Sequence, residues 1–291
     1  MTYDLILGDR AYSSWSLRGW LLFEAFGIPK RPKMVDFSGQ DVAGQLTDFF
    51  PARTVPTVRT PEGAILGDSI AIAEELASRH PKAGIWPSDP LARATARALT
   101  AEMHSGFSAL RSECPMNMRV AYADFPVSPE VAADLRRLET IWAHARATCG
   151  GDGPWLCGDY SAADAFYAPV AARIAGYGLP VNAEAQAYVD AHLSHAPFRR
   201  WRAMGLVRGE DLPWYAMDHS QTDWRFRAPM EGQPVDAGPS ENATCPYSGD
   251  PVTDFMELDG RVFGFCNPFC RDKTLPDPAA WPDFMEIYQA G

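Results

Sequence analysis

Short apolar runs alternate with helical repeats over the first part of the chain. The run Tyr3-Asp4-Leu5-Ile6-Leu7 is typical of a strand, and from Trp15 to Phe26 apolar residues recur at the spacing of an amphipathic helix. The elements predicted in this way are, in order, strand 3–8, helix 15–26, a strand near 33–37, a short helix near 41–48, strands 57–60 and 64–67, and helix 69–79. Such alternation predicts a small α/β domain over residues 1–80.

The pattern of the remaining chain is helical at first and then irregular. A linker that contains proline and glycine follows residue 80, and Ala-, Leu- and Arg-rich repeats then predict an all-helical domain over residues 90–205. Its predicted helices are 91–112, 129–148, 162–176 and 184–194. Residues 206–240, rich in proline and tryptophan, are predicted to form a linker or tail, and residues 241–291 a small separate module.

Composition narrows the class of protein. With 291 residues, 46% of them hydrophobic and 22% charged, the chain is long enough for two domains with their own cores. The net charge of −11 argues against a nucleic-acid partner, since phosphate binding requires clustered lysine and arginine. Neither a signal segment nor a membrane-spanning run is predicted, which indicates a cytoplasmic protein. In that compartment the six cysteines are expected to be free thiols or metal ligands.

Hydroxyl side chains are concentrated where the first predicted strand leads into the first predicted helix. Ser13, Ser14 and Ser16 surround Trp15 at the start of this helix. The unpaired N–H groups and the positive dipole end of a helix start favour an anion. One serine is enough to cap a helix, and capping alone is the simpler interpretation of an isolated serine. Three serines exceed that need and indicate an anion site.

Two further segments have similar chemistry. The pair Val55-Pro56 begins a short β-rich run, and its peptide bond is a candidate for the cis form. Asp68 and Ser69 open the predicted helix 69–79, so that an acid and a hydroxyl stand at another anion-favouring helix start. Capping alone also explains these two residues when the segment is taken by itself.

The order of these segments, followed by a helical half, resembles the glutathione S-transferase family. Ser13-Ser14-Trp15-Ser16-Leu17-Arg18 is similar to the Ser-Ser-Cys-Ser-x-Arg signature of the zeta class, with tryptophan in the place of cysteine. Ser161-Ala162-Ala163-Asp164 resembles the capping box of that family's helical domain, in which the first and last residues bond reciprocally. The resemblance covers about residues 1–205, and it implies a thioredoxin-like domain at 1–80 and a helical bundle at 90–205.

The resemblance implies that the protein is a glutathione transferase. In that family the thiolate of glutathione attacks a small electrophilic molecule, and the matching positions assign activation of the thiol to Ser13, with Ser14 as the alternative. A thiol with a pKa of about 8.5 is only about 3% ionised at pH 7, and lowering that pKa by about 2 units ionises about three quarters of it. The other glutathione-binding positions that the resemblance implies are Arg53, Val55, Pro56, Asp68 and Ser69.

Three other functions stay open. A zeta-like isomerase would return glutathione unchanged after each turnover, and would do so without the cysteine of that class. A non-catalytic module would bind glutathione without turning anything over. A metal-handling protein would place its function in the C-terminal cysteines. The family resemblance also implies a homodimer.

Cysteines of the C-terminal module recur at the spacing of a metal site. Cys245 is followed by Cys266 and Cys270, a Cys-x20-Cys-x3-Cys pattern that resembles the small treble-clef-like modules called TRASH or YHS. The resemblance implies that these cysteines bind zinc, which would stabilise a module with little core. Candidates for the fourth zinc ligand are Asp250, Asp272 and a water, because the module contains no histidine. A metal-free module with three free thiols is the alternative.

Overall fold

The computed structural model of the protein describes residues 2–39 and 41–290. These residues form two compact units. The first unit contains the residues up to Leu193 and Glu210–Arg225, and the second contains Ser194–Gly209 and the residues from Phe226 onwards. In the part of the chain described, no helix has the length and the apolar composition needed to cross a membrane.

This division differs from the segments predicted from the sequence. The predicted linker 206–240 is shared between the units, because residues 221–222 pair with a strand of the first unit and residues 233–235 with a strand of the second. Residues 196–207, at the end of the predicted helical domain, form a helix of the second unit. Strands of two or three residues are too short to show a periodic pattern, and their pairing depends on distant segments. The composition of residues 206–240 therefore indicated only a linker.

The first unit begins with a four-stranded mixed sheet. Its elements are β1 (Tyr3–Leu7), α1 (Ser14–Glu24), β2 (Lys30–Met34), a 3-10 helix (Gly44–Phe49), β3 (Thr57–Arg59), β4 (Ile65–Leu66) and α2 (Ser69–Arg79). The strand order is β2-β1-β3-β4, in which β2 is parallel to β1 and the other pairs are antiparallel. Each residue of β1 is buried, whereas β2 is a mostly exposed edge strand.

The position of β2 corrects the sequence prediction. The strand was expected near 33–37 and lies at Lys30–Met34, where the sequence is basic and includes Pro32. An edge strand needs neither apolar alternation nor a complete set of N–H donors, so such a sequence carries no strand pattern. Its pairing with the buried β1 determines its position instead.

Helices form most of the rest of the first unit. They are α3 (Pro90–Ser105), α4 (Ser108–Glu113), α5 (Pro129–Cys149), α6 (Ala162–Tyr177) and α7 (Ala183–Ser194), with a two-stranded sheet of β5 (Ala121–Tyr122) and β6 (Gln221–Thr222). The predicted single helix 91–112 is wrong, because the chain breaks at Gly106 and Phe107, where Phe107 has a left-handed φ of 57°. Helix α6 is buried along its whole length.

The capping box at the start of α6 is confirmed. The Ser161 N–H donates to Asp164 Oδ2 at 2.9 Å, and the Asp164 carboxylate also accepts from the Leu156 N–H and the Tyr188 hydroxyl. These donors offset the cost of burying a carboxylate. Burial nevertheless outweighs the hydrogen bonds and raises the pKa of Asp164. The box therefore has a structural role in anchoring α6.

Helix α1 lies close to the loop before β3, and a glycine allows this approach. A Cβ on Gly19 would lie 2.6 Å from Pro56 Cβ and 2.8 Å from Pro56 Cγ, well inside van der Waals contact. Gly176 in α6 is different, since a Cβ there would lie no closer than 3.7 Å to any neighbour. The two helical glycines therefore offer a matched comparison.

We expect Gly19→Ala to destabilise the protein by about 1–3 kcal/mol, because α1 and Pro56 must move apart to admit the methyl group. Gly176→Ala should instead be neutral or stabilise the protein by up to about 1 kcal/mol, since alanine has the higher helix propensity. Chemical denaturation of both variants measures these changes. A neutral Gly19→Ala would contradict the packing described between α1 and the Pro56 loop.

The second unit is built on an antiparallel three-stranded sheet. Its elements are α8 (Ala196–Val207), β7 (Gln233–Val235), β8 (Asp254–Leu258), β9 (Arg261–Phe265), α9 (Pro268–Asp272) and α10 (Pro282–Ala290). The order is β7-β8-β9, and the predicted turn between two β-rich runs is confirmed, with Asp259 and Gly260 both at positive φ. Asp-Gly is a favoured sequence for such a tight hairpin. Arg199 of α8 forms an ion pair with Asp277 (Nε to Oδ2, 2.7 Å).

Candidate functional site

A cavity of about 710 Å³ opens in the first unit. Its walls come from the loop between β1 and α1, the loop before β3, helices α4 and α6, and the segment that precedes β6. Polar groups on these walls include Ser13, Ser14, Arg53, Ser108, Arg111, Ser112, Arg173 and the tyrosines at 12 and 215. Of the predicted site residues, Ser13, Ser14, Arg53 and Val55 lie on this cavity.

The two candidate activating serines begin α1 and differ in their hydrogen bonding. Ser13 is the N-cap: its Oγ accepts from the Ser16 N–H at 3.2 Å, and its hydroxyl donates to Ser16 Oγ at 2.8 Å. Ser14 is half-buried on the cavity wall, and its hydroxyl has no partner among the described residues. The N-cap interpretation of one serine is therefore correct, and a second hydroxyl at the same helix start faces the cavity unpaired.

Val55 brings backbone groups to the cavity. The Val55-Pro56 peptide bond is cis, as its sequence context predicts, and Phe50-Pro51 is also cis, which the sequence analysis missed. Within residues 2–39 and 41–290, neither the N–H nor the C=O of Val55 has a hydrogen-bond partner, although the residue is half-buried. Unpaired backbone at the edge of a cavity is suited to bind the backbone of an extended ligand.

Pro56, Asp68 and Ser69 lie outside the lining of this cavity. Pro56 packs against α1 next to Gly19. Asp68 is the N-cap of α2, where its Oδ1 accepts from two backbone N–H groups, and its Oδ2 lies 3.3 Å from Nε2 of His104. Ser69 is buried. Capping, the simpler interpretation of Asp68, is therefore borne out by these bonds, and its carboxylate remains half-exposed.

Arginines of the helical wall were missed by the sequence analysis. Arg111 of α4 and Arg173 of α6 line the cavity, and Arg18 of α1 is 2% exposed nearby. Burial, together with the charges of Arg173 and Arg111, lowers the pKa of Arg18 to about 9. Burial and the charge of Arg111 lower the pKa of Arg173 to about 10. The sequence places these arginines on predicted helices, but it does not indicate which of them face the same cavity.

Trp15, in the place of the signature cysteine, organises this wall. Its ring lies 4.4 Å from the Arg18 guanidinium and 4.9 Å from that of Arg111, both in cation–π geometry. The His104 ring packs against it in a T-shaped arrangement, with the ring centroids 5.2 Å apart. Trp15 thus contacts two guanidinium groups, of which that of Arg111 lines the cavity.

The segment before β6 completes the cavity. Tyr215 lies on the wall, and its ring packs 4.6 Å from that of Tyr12. The Tyr12 hydroxyl accepts from the Leu212 N–H at 3.3 Å and donates to Asp211 at 3.4 Å. These bonds tie the Tyr12 hydroxyl to the segment before β6, whereas, among the described residues, the Ser13 hydroxyl bonds only within its own helix start, to Ser16.

Three cysteines of the second unit meet in one cluster. The sulfurs of Cys245, Cys266 and Cys270 all lie within 4.8 Å of one another. The Ser248 hydroxyl and the Asn267 side-chain amide donate to Cys266 Sγ at 3.3 and 3.1 Å. Burial opposes ionisation of Cys245, but backbone N–H groups directed at its sulfur lower its pKa to about 7.

The aspartates considered as fourth ligands do not join this cluster. Among the described residues, no histidine or carboxylate meets the three sulfurs in a common group. Asp272 instead accepts from Arg271 Nε at 2.7 Å, and the backbone of Asp250 bonds Ser248 and Cys245. The chemistry of the donor set, three soft sulfurs surrounded by hydrogen-bond donors, fits a thiophilic metal ion with one position left to a ligand from solvent.

Comparison with known proteins identifies the N-terminal domain. Residues 12–79 match the family model of the glutathione S-transferase N-terminal domain. The chain is 32% identical over 103 residues to a probable maleylacetoacetate isomerase of Caenorhabditis elegans. It is 26% identical over 167 residues to a protein of Oryza sativa subsp. japonica called IN2-1 homolog A. These alignments cover 35% and 57% of this chain and only 47% and 63% of the two relatives.

Solved structures show the fold. A glutathione transferase homolog from Burkholderia, crystallised with bound glutathione, matches 72% of this chain and 100% of its own with a TM-score of 0.55 at 20% identity. Glutathione transferase Omega 3C from Trametes versicolor matches 74% of this chain and 91% of its own with a TM-score of 0.53 at 19% identity. The chain thus has the fold of glutathione transferases, a thioredoxin-like domain followed by a helical domain, and residues 12–79 match the N-terminal domain model of that family.

Proposed function

We propose that the first unit binds glutathione in its cavity and activates the thiol as a thiolate that attacks a small electrophilic molecule. The observation that carries the proposal is the arrangement around the cavity: two serines begin α1, Val55 presents unpaired backbone, and Arg53 supplies positive charge at the edge. Glutathione carries a net negative charge and an extended backbone, so each of these features has a counterpart in the ligand.

Activation is a matter of hydrogen bonding. A hydroxyl of Ser13, or alternatively Ser14, donates to the sulfur, and the positive end of α1 adds to the stabilisation of the thiolate. The thiol proton leaves to solvent, the sulfur forms a bond to the electrophilic carbon, and the leaving group departs with its electron pair. The serine acts as a donor and forms no covalent intermediate. No basic partner for its hydroxyl is therefore required.

The other residues of the proposed site bind the backbone and the two ends of glutathione. Val55 pairs its backbone with the cysteinyl backbone of glutathione, and Pro56 supports this loop against α1. Asp68 and Ser69, at the N-terminus of α2, hold the γ-glutamyl end of glutathione. The Asp68 carboxylate binds the amino group of that end, and the N–H groups at the start of α2 bind its carboxylate. Arg53, exposed at the cavity edge, binds the far carboxylate.

Asp68→Asn tests the proposed glutathione site. We expect calorimetry to show one glutathione per chain for the wild type and an affinity about tenfold lower for the variant, because an ion pair to the amino group is lost. Asp89→Asn is the matched control, since Asp89 caps α3 through an equivalent bond to the Ala92 N–H and should keep full affinity. Equal affinity in both variants would remove Asp68 from the site, and absence of glutathione binding by the wild type would refute the proposal.

A glutathione-dependent isomerase is the second candidate. The relative from Caenorhabditis elegans, described as a probable maleylacetoacetate isomerase, favours it. Such an enzyme returns its glutathione, so product formation without loss of free thiol would distinguish it from a transferase. A non-catalytic glutathione-binding protein would show binding and neither of these activities.

We further propose that Cys245, Cys266 and Cys270 bind one zinc ion that stabilises the second unit. The convergence of the three sulfurs supports this proposal. The described sheet of this unit has three short strands. A metal would link the turn at Cys245 to helix α9, which contains Cys270. In a reducing cytoplasm these thiols stay available as ligands.

A further inference from the structure

The helical wall of the cavity carries positive charge without a matching acid. Arg111 and Arg173 both line it, from α4 and α6. The Arg18 guanidinium lies over the Trp15 ring at 4.4 Å and is almost fully buried. No acidic side chain occurs among the described residues that line the cavity. The arginines of this wall therefore have no counter-ion on the described cavity lining, and a buried cation without one is costly.

Each of the two cavity arginines uses some of its guanidinium N–H groups to bond backbone carbonyls, and its other N–H groups remain unbonded among the described residues. Arg173 donates from Nε to the Cys114 carbonyl at 2.9 Å and from Nη1 to the Pro169 carbonyl at 3.2 Å. Arg111 uses Nη1 for the carbonyls of His104 and Gly106. Within the described parts of the chain, Nη2 of both residues has no partner. Anchored guanidinium groups with unused donors are preorganised for a planar anion.

The charges also act on one another. The pKa of Arg173 and that of Arg18 are both lowered, first by burial and then by neighbouring arginines, and Arg111 contributes to both shifts. Like charges therefore lie close enough to repel in a poorly solvated space. A bound anion would relieve this repulsion and satisfy the unused donors at the same time.

We infer that this wall binds a carboxylate between Arg111 and Arg173, and that this carboxylate belongs to the second substrate. The inference rests on the proposed function and names the class of electrophile: a small molecule that carries an anionic group at a distance from the carbon attacked by sulfur. Glutathione has carboxylates of its own, but the N-terminal half of the site, at Arg53 and the start of α2, already provides for them. The arginines of α4 and α6 lie on the other wall.

A pair of glutathione conjugates tests the inference without requiring turnover. S-benzyl glutathione and its para-carboxybenzyl analogue differ by one carboxylate at the end remote from the tripeptide. We expect calorimetry to show that the wild-type chain binds the carboxylated conjugate about tenfold more tightly, the range of a charge-assisted hydrogen bond. Arg111→Gln should abolish this preference and leave the affinity for S-benzyl glutathione nearly unchanged.

Arg136→Gln is the matched control. Arg136 lies exposed on α5, away from the cavity lining, so that the variant loses the same charge and should keep the tenfold preference. Arg173→Lys provides a second test at a buried position. Lysine keeps the positive charge there but cannot donate two parallel hydrogen bonds to one carboxylate as arginine does. We expect it to reduce the preference several-fold, and circular dichroism verifies that each variant is folded.

The outcomes separate the two proposals. Equal affinity of the wild type for both conjugates, or a preference that survives in Arg111→Gln and Arg173→Lys, overturns the inference and leaves glutathione binding intact. If Arg111→Gln weakens glutathione and both conjugates by the same factor, the carboxylate at this wall is that of glutathione, and the inference is again wrong. If neither conjugate nor glutathione binds the wild type, the proposed function fails and the inference with it.

Discussion

Ser13→Ala is expected to raise the pKa of glutathione bound in the cavity by about 1–2 pH units, which corresponds to about 1.4–2.7 kcal/mol of lost thiolate stabilisation. The hydroxyl that now donates to Ser16 Oγ would turn to the sulfur when the thiolate is present. Ultraviolet absorbance of the thiolate, titrated against pH in the bound state, measures this change. The rate of conjugation at neutral pH should fall by about 3- to 25-fold, because the ionised fraction of the thiol falls from about three quarters to between about a quarter and about 3%.

A capping control separates chemistry from stability. Ser13→Ala also removes the N-cap of α1, which costs about 0.5–2 kcal/mol of folding stability. Ser128→Ala removes the cap of α5, where the Ser128 Oγ accepts from the Val131 N–H at 3.1 Å. It should lower stability by a similar amount without changing the pKa of the bound thiol. A thiol pKa that is unchanged in Ser13→Ala and raised in Ser14→Ala would transfer the role to the hydroxyl that is unpaired in the structure.

Local signals in the sequence predicted the parts of the fold that depend on neighbouring residues. The helix start at Ser13, the box at Ser161 and the turn at Asp259 each follow from a short pattern, and the structure has all three. The break of the predicted helix 91–112 did not follow, because Gly106 alone is tolerated within a helix and the left-handed Phe107 has no sequence signal. Its position depends on packing of α4 against α5.

The candidate site was predictable where it is built from loops at the ends of elements. Ser13 directly precedes α1 and Val55 lies two residues before β3, so the chain itself determines which elements surround them. Arg111, Arg173 and Tyr215 could not be found, because the rotation of a helix and the course of a tail depend on contacts between distant segments. Asp68 illustrates a mixed case: its cap was predictable, and its approach to a histidine of α3 was not.

Protein purified without chelator is expected to contain one zinc ion per chain, and Cys270→Ser to reduce this to well below half an ion. Two thiolates cannot replace three in a site that has no further protein ligand among the described residues. Removal of the metal should destabilise the second unit by about 4 kcal/mol when free zinc exceeds its Kd about a thousandfold. Elemental analysis and thermal unfolding with and without chelator measure both effects.

Cys149→Ser is the matched control for this loss, because Cys149 is a half-buried free thiol at the end of α5 and lies outside the cluster. It should leave the zinc content unchanged. Alkylation gives an independent measure, since Cys245, Cys266 and Cys270 should react only after chelation. Less than about a tenth of an ion per wild-type chain, with all three thiols freely alkylated, would mean that the module folds without metal. Glutathione turnover should persist in Cys270→Ser, because the cavity residues all belong to the first unit, and its loss would show that the zinc serves the reaction as well as the fold.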